Sequence, residues 1–217
     1  MITKISPALL TVIMAVITAL SGCSASGGVQ SGSVTAPEMS GHSSTGESAE
    51  TLPDASTIEG ENTLIVYYSY SGTTERVAEH LSVLTEGALY ELELADPYTG
   101  DSYDVSDRVF AERGNGKMPE LTGTLPDVAE YDLILIGTPV WNDSMANPVL
   151  SYLQQTDFSG KTVAPFWTYI TSQGTTEKNF KSNIRNGNTQ DGLALRSANG
   201  MSDEKLDETL QNWLDML

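Results

Sequence analysis

The chain predicts an α/β fold on a parallel sheet, and three observations carry that prediction. Strand-like and helix-like segments alternate along residues 62–217. Two of the strand-like runs, residues 63–69 and 133–137, are continuously apolar, as strands covered on both faces must be. The first of them ends abruptly in a hydroxyl-rich turn, and an amphipathic helical pattern follows at once.

Taken in order, residues 63–69 form the first strand and residues 73–84 the first helix, with Val77, Ala78, Leu81 and Leu84 on one face. Residues 88–94 alternate from Leu89 onward and read as a wetter strand near an edge. A helix is expected over residues 104–113, followed by an irregular Gly- and Pro-rich loop. Residues 133–137 are the third strand, and residues 147–155 a short helix opened by Asn147-Pro148. Residues 162–168 and 192–195 are the fourth and fifth strands. The final helix spans residues 203–217, with Ser202 as its cap and Leu206, Leu210, Trp213, Leu214 and Leu217 as its buried stripe. Five strands interleaved with helices imply right-handed crossovers, so the sheet is parallel.

Two segments precede that domain. Residues 1–23 read as a targeting segment, with Lys4 its one charge and a nearly continuous apolar stretch ending at Leu20-Ser21-Gly22-Cys23. This pattern resembles a bacterial lipoprotein signal, in which the cysteine is lipidated and becomes the new N-terminus. Cys23 is the sole cysteine, so no intramolecular disulfide can form. The expected location is extracytoplasmic, with a lipid anchor in a bacterial membrane. Residues 24–61 form a linker rich in Ser, Gly, Thr and Glu, too poor in large apolar side chains to offset the entropy of ordering. The whole chain carries 29 acids against 11 bases. That balance excludes nucleic acid as a natural partner and suits a basic redox protein or a soluble surface.

The turn after the first strand carries the chemistry. Strand, hydroxyl turn and helix form the geometry that holds a phosphate, because free N–H groups of the first helical turn face the ligand and the helix dipole favours an anion. Ser69, Ser71, Thr73 and Thr74 add hydroxyl donors, and no lysine or arginine lies inside the turn. Neither a G-x-x-x-x-G-K-[ST] loop nor a G-x-G-x-x-G fingerprint is present there, so the other common phosphate loops do not apply. In open parallel sheets the ligand sits beyond the carboxyl ends of the strands. Strand three ends in Gly-Thr-Pro-Val-Trp-Asn-Asp-Ser at 137–144, and strand four in Trp-Thr-Tyr-Ile-Thr-Ser-Gln-Gly at 167–174. Donors at one mouth and aromatics at two others point to a flat, phosphorylated ligand.

Ser-Tyr-Ser-Gly-Thr-Thr at 69–74, Gly-Thr-Pro-Val-Trp at 137–141 and Asp-Phe-Ser-Gly-Lys-Thr-Val-Ala-Pro-Phe at 157–166 resemble the flavodoxin family, in particular its branch found in bacterial lipoproteins. The resemblance implies a flavodoxin-like three-layer sandwich with a five-stranded parallel sheet in the order 2-1-3-4-5, an order known for flavodoxins in general. It implies FMN as cofactor. Ser69, Ser71, Gly72, Thr73 and Thr74 would hold the phosphate, and Tyr70 would contribute mainly backbone. Pro139, Val140, Trp141 and Asn142 would border the ring, and Thr168, Tyr169 and the residues up to Gly174 would close over its other side. Asn142-Asp143 is expected to form a turn with positive φ, which Asn tolerates better than most residues. The chain departs from the family in the segment after strand four, where Tyr-Ile-Thr-Ser-Gln replaces most of the usual glycines, and at Asn142, where relatives often carry an aromatic.

The resemblance implies a membrane-tethered electron carrier that uses bound FMN. Two other readings stay open at the level of sequence: an FMN-dependent NAD(P)H:quinone-type reductase, and a binding module of the same fold without FMN.

Overall fold

The computed structural model describes residues 62–217. The expected signal at 1–23, lipidation at Cys23 and the linker at 24–61 lie outside the described residues.

The strands β1 (Thr63–Tyr67), β2 (Ala88–Glu91), β3 (Leu133–Trp141), β4 (Ser144–Met145), β5 (Thr162–Tyr169), β6 (Asn188–Thr189) and β7 (Leu193–Arg196) form one sheet. The path runs β2-β1-β3-β5-β6, all parallel, with β7 also paired to β5. The expected order 2-1-3-4-5 therefore holds, with β5 and β7 as its fourth and fifth strands. The fifth position is divided between β6 and β7. One addition is antiparallel: β4 folds back on the end of β3.

Side-chain alternation in β1 explains the three layers. Leu64 and Val66 face one side, where they meet helices α2 (Ser102–Asn115), α3 (Asn147–Gln155) and α4 (Thr176–Asn183) through Val109, Tyr152 and Phe180. Ile65 and Tyr67 face the other side, against Val77 and Leu81 of α1 (Thr73–Thr85) and Leu206, Leu210 and Trp213 of α5 (Asp203–Leu214). Each of these fully buried leucines contributes about 1.5–3 kcal/mol relative to exposure. As expected, Ser202 caps α5, its hydroxyl accepting from Lys205 N at 3.3 Å.

Several boundaries differ from the sequence reading, each for a local reason. β1 stops at Tyr67, because the chain peels off into the hydroxyl turn. β2 stops at Glu91, although Leu92 and Leu94 remain buried and Leu94 bridges Leu121. α2 begins at Ser102 because Asp101 and Asp104 form a reciprocal capping box. β3 runs to Trp141, extended beyond the sheet by its hairpin with β4. The last helix ends at Leu214 rather than residue 217. α4 was not expected, since it buries only Thr176 and Phe180 and shows no sustained apolar stripe.

Candidate functional site

β1 lies between β2 and β3, so chain direction across the sheet reverses there. The crevice at the carboxyl ends of β1, β3 and β5 is the switch point.

The β1–α1 turn forms one mouth of that crevice. Gly72 sits at φ +83°, a conformation that costs a residue with a Cβ, and occupies the position before α1. It offers no side chain to cap the helix, so the N–H groups of the first turn have no side-chain cap. Ser69 Oγ is buried without a hydrogen-bond partner. A buried orphan hydroxyl is costly unless something fills the space before it. Ser71 Oγ and Thr73 Oγ1 lie 3.3 Å apart. Thr74 Oγ1 lies 2.9 Å from Thr168 Oγ1, in a buried pair that ties α1 to β5. In that pair one hydroxyl donates and the other keeps its hydrogen for another acceptor. Arg76 turns away from the turn: its guanidinium donates to Ala198 O at 3.0 Å and Met201 O at 3.1 Å and pairs with Asp203. The donors around Gly72 are therefore neutral, as expected.

The second mouth is aromatic. Trp141 is boxed edge-on by Tyr98 at 4.9 Å, Tyr68 at 5.5 Å and Tyr70 at 5.8 Å between ring centroids. Burial, with the neighbouring Tyr70 phenol adding to it, pushes the Tyr68 phenol up to about 12. The Tyr70 side chain does more than its expected backbone role. Its ring covers Trp141, and its hydroxyl donates to Gly100 O at 3.1 Å, joining the hydroxyl turn to the β2–α2 loop. Tyr70, Val105, Val109, Val140, Trp141 and Asn142 are among the residues lining a cleft of about 250 Å³.

Asn142 and Asp143 have φ of +46° and +57°. Two left-handed residues between paired strands make the tight turn that matches strand twist, as the sequence suggested. The Asn142 side chain points at α2, accepting from Ser106 Oγ at 3.1 Å and donating to Ser106 O at 3.4 Å. Arg113 of α2 spans the hairpin: its guanidinium donates to Trp141 O at 3.3 Å, Asn142 O at 3.4 Å, Met145 O at 2.9 Å and Asn147 Oδ1 at 2.8 Å. Burial pulls the Arg113 pKa down from the usual arginine range. Glu112 completes the support, accepting from Arg108 Nε at 2.8 Å, Asn147 Nδ2 at 2.7 Å and the Tyr98 hydroxyl. Burial first, and then this contact with Glu112, raises the Tyr98 phenol far above its ordinary value.

The segment after β5 closes the third side. Tyr169 is half-buried and packs on the same core cluster as Trp141. Gly174 has φ +54°, and a Cβ there would lie 2.2 Å from Asp143 O. Thr175 donates from N at 2.8 Å and from Oγ1 at 3.1 Å to that carbonyl. Thr168 is buried beneath the turn, its hydroxyl engaged with Thr74. Thus the structure brings Ser69–Thr74, Pro139–Asn142, Thr168, Tyr169 and Gly174 to the carboxyl ends of three adjacent strands. The sequence reading missed Arg113, Ser106, Glu112 and Tyr98, which lie in the stretch least readable from pattern.

Fold and site together define an open α/β protein with a switch-point cleft suited to a flat phosphorylated ligand. Comparison with known proteins agrees. The family model described as Flavodoxin matches residues 62–217, and the chain belongs to the flavodoxin family. A Bacteroides uniformis ATCC 8492 protein assigned as a flavoprotein is 33% identical, with a TM-score of 0.62, over 70% of this chain and 99% of that one. A Bacteroides eggerthii DSM 20697 protein of the same assignment is 29% identical, with a TM-score of 0.62, over 72% of this chain and 97% of its own. A flavoprotein from Lactobacillus acidophilus NCFM, solved in complex with FMN, is 30% identical with a TM-score of 0.56, over 68% of this chain and 97% of that one.

Proposed function

We propose that this protein binds FMN at the switch point and carries electrons through it, tethered outside the cytoplasm by a lipid on Cys23. The observation that carries the FMN reading is the orphan Ser69 hydroxyl, buried at the rim of an uncapped helix N-terminus and beside an aromatic cleft. A phosphate oxygen would give Ser69 its missing acceptor. It would also meet the free N–H groups of α1 and the hydrogen left over by the Thr74–Thr168 pair. The relative with FMN bound supports the same cofactor here.

When bound, FMN supplies one- and two-electron transfer through its ring. The residues of this chain bind, orient and shield it. Ser69, Ser71, Thr73 and Thr74 hold the phosphate through neutral donors. Trp141, fixed by three tyrosines, gives the ring a rigid aromatic wall, worth about 0.5–1.5 kcal/mol beyond burial. Tyr169 and the segment to Gly174 limit water on the other side. The acidic surface disfavours added negative charge on the ring and attracts basic redox partners.

The tether rests on the Leu-Ser-Gly-Cys pattern at 20–23 and the polar residues that follow it. The deciding experiment is the visible spectrum of the purified full-length chain, with and without added FMN. A bound flavin band with a one-to-one titration is the expected result, and absence of uptake refutes the reading. For the tether, radiolabelled fatty acid should appear on the wild-type chain and vanish with Cys23→Ser.

A further inference from the structure

We infer that Arg113 is a positioning residue that locks the Asn142–Asp143 turn with its carbonyls turned inward, and that this lock holds the one-electron potential of the flavin down. The inference rests on the FMN reading above and adds a residue to it.

Three successive carbonyls of the turn are already committed to protein donors. Arg113 takes Trp141 O at 3.3 Å and Asn142 O at 3.4 Å, while Thr175 takes Asp143 O through N at 2.8 Å and Oγ1 at 3.1 Å. In a trans peptide the N–H points opposite to the C=O. Holding the Trp141 and Asn142 carbonyls towards Arg113 therefore turns the N–H groups of Asn142 and Asp143 away from it. The turn thus presents donors and withholds acceptors. Arg113 cannot easily relax from this role. Its other contacts, Met145 O at 2.9 Å and Asn147 Oδ1 at 2.8 Å, fix the guanidinium, and the Asn147 amide is itself anchored to Glu112. Ser106 holds the Asn142 side chain to the same helix.

FMN held there would look to the turn for a hydrogen-bond donor when oxidised, and for an acceptor once an electron from the reductant and a proton from water had been added. A turn that offers only donors favours the oxidised cofactor, and a turn free to rotate a carbonyl outward favours the reduced one. Releasing the lock should therefore make the first reduction easier.

The sign of the effect separates this role from a purely electrostatic one. A cation near the ring stabilises an added electron, so loss of its charge alone would make reduction harder. Loss of the lock does the opposite. The test uses the full-length chain loaded with FMN and titrated with dithionite, comparing wild type with Arg113→Gln, Arg113→Lys and Thr175→Ala. The dissociation constant of oxidised FMN and the melting temperature are measured alongside. Arg113→Gln should shift the preference for the reduced state about tenfold, a rise of about 59 mV for one electron. Arg113→Lys, which keeps the charge and one donor, should lie between it and wild type. Thr175→Ala, which keeps its N–H contact to Asp143 O, should move the potential the same way by less. A fall in the potential of Arg113→Gln, or a lowered melting temperature with the potential unmoved, overturns the inference. If Arg113→Gln does not fold, the sign in Arg113→Lys and Thr175→Ala decides. A wild-type chain that takes up no FMN removes the functional reading itself, and this inference with it.

Discussion

The two mouths of the cleft lie side by side yet are built by opposite means. The phosphate mouth is local: six consecutive residues, Ser69 to Thr74, supply hydroxyls, a left-handed glycine and a helix start. The aromatic mouth is assembled from afar. Its hairpin is two residues of turn, but it stands because α2, some thirty positions earlier, reaches across with Ser106 and Arg113. One mouth is specified by chemistry carried in a motif, the other by a polar network of Glu112, Arg113, Asn147 and Tyr98 that no short pattern contains.

This contrast can be broken most forcefully at Glu112. Glu112→Ala leaves the Tyr98 hydroxyl, Arg108 Nε and one hydrogen of the Asn147 amide without their acceptor and should cost about 3 kcal/mol in urea denaturation. It should weaken riboflavin and FMN alike, because riboflavin lacks only the phosphate. Next in size is Thr74→Val, which removes one member of the buried hydroxyl pair tying the phosphate mouth to β5. It should cost about 2 kcal/mol by the same measurement, with Thr168→Val showing a similar loss. Ser69→Ala sharpens the comparison from the other side. The apo chain should change by no more than about 0.5 kcal/mol, since the hydroxyl has no partner to lose. FMN affinity should drop about tenfold with riboflavin affinity unchanged, reflecting one hydrogen bond to a charged group. Equal losses for both ligands in calorimetric titration would contradict the division of labour.

The smallest effect concerns pH behind the phosphate mouth. Burial, together with Glu75 and Glu93, raises the carboxyl pKa of Glu91 above its unfolded value. The folded state therefore holds that proton more tightly than the unfolded chain does. Its contribution is fully present below the ordinary glutamate range and is lost as pH rises through the folded-state value. Urea midpoints of Glu91→Gln should show a flatter decline than wild type between acidic and neutral pH.

Much of this was legible in the sequence. The continuous apolar runs gave β1 and β3 and the stripes gave α1 and α5, because each buries a face whose period is visible in one dimension, while the Asn147-Pro148 opening gave α3. Asn142-Asp143 could be read as a left-handed turn from residue type once the flavodoxin resemblance pointed to that position. What stayed hidden depended on tertiary contact. α4 has one large buried side chain, Phe180, so its pattern carried no stripe. Arg113 looks like any solvated cation near a helix end until the hairpin is folded beneath it. Arg76 likewise shows its role only once α5 is in place, and Tyr70 shows its ring role only beside Trp141.

That placement of Arg76 has a consequence for how the molecule comes into being. α1 buries Val77 and Leu81 against α5, and Arg76 fastens to Ala198, Met201 and Asp203, which lie 122, 125 and 127 positions further along the sequence. The helix beneath the ligand turn is thus held by residues far along the sequence from it. The apolar face of α1 therefore stays uncovered until residues 198–214 have docked on it. Deleting residues 203–217 should yield not a smaller domain but a chain that aggregates.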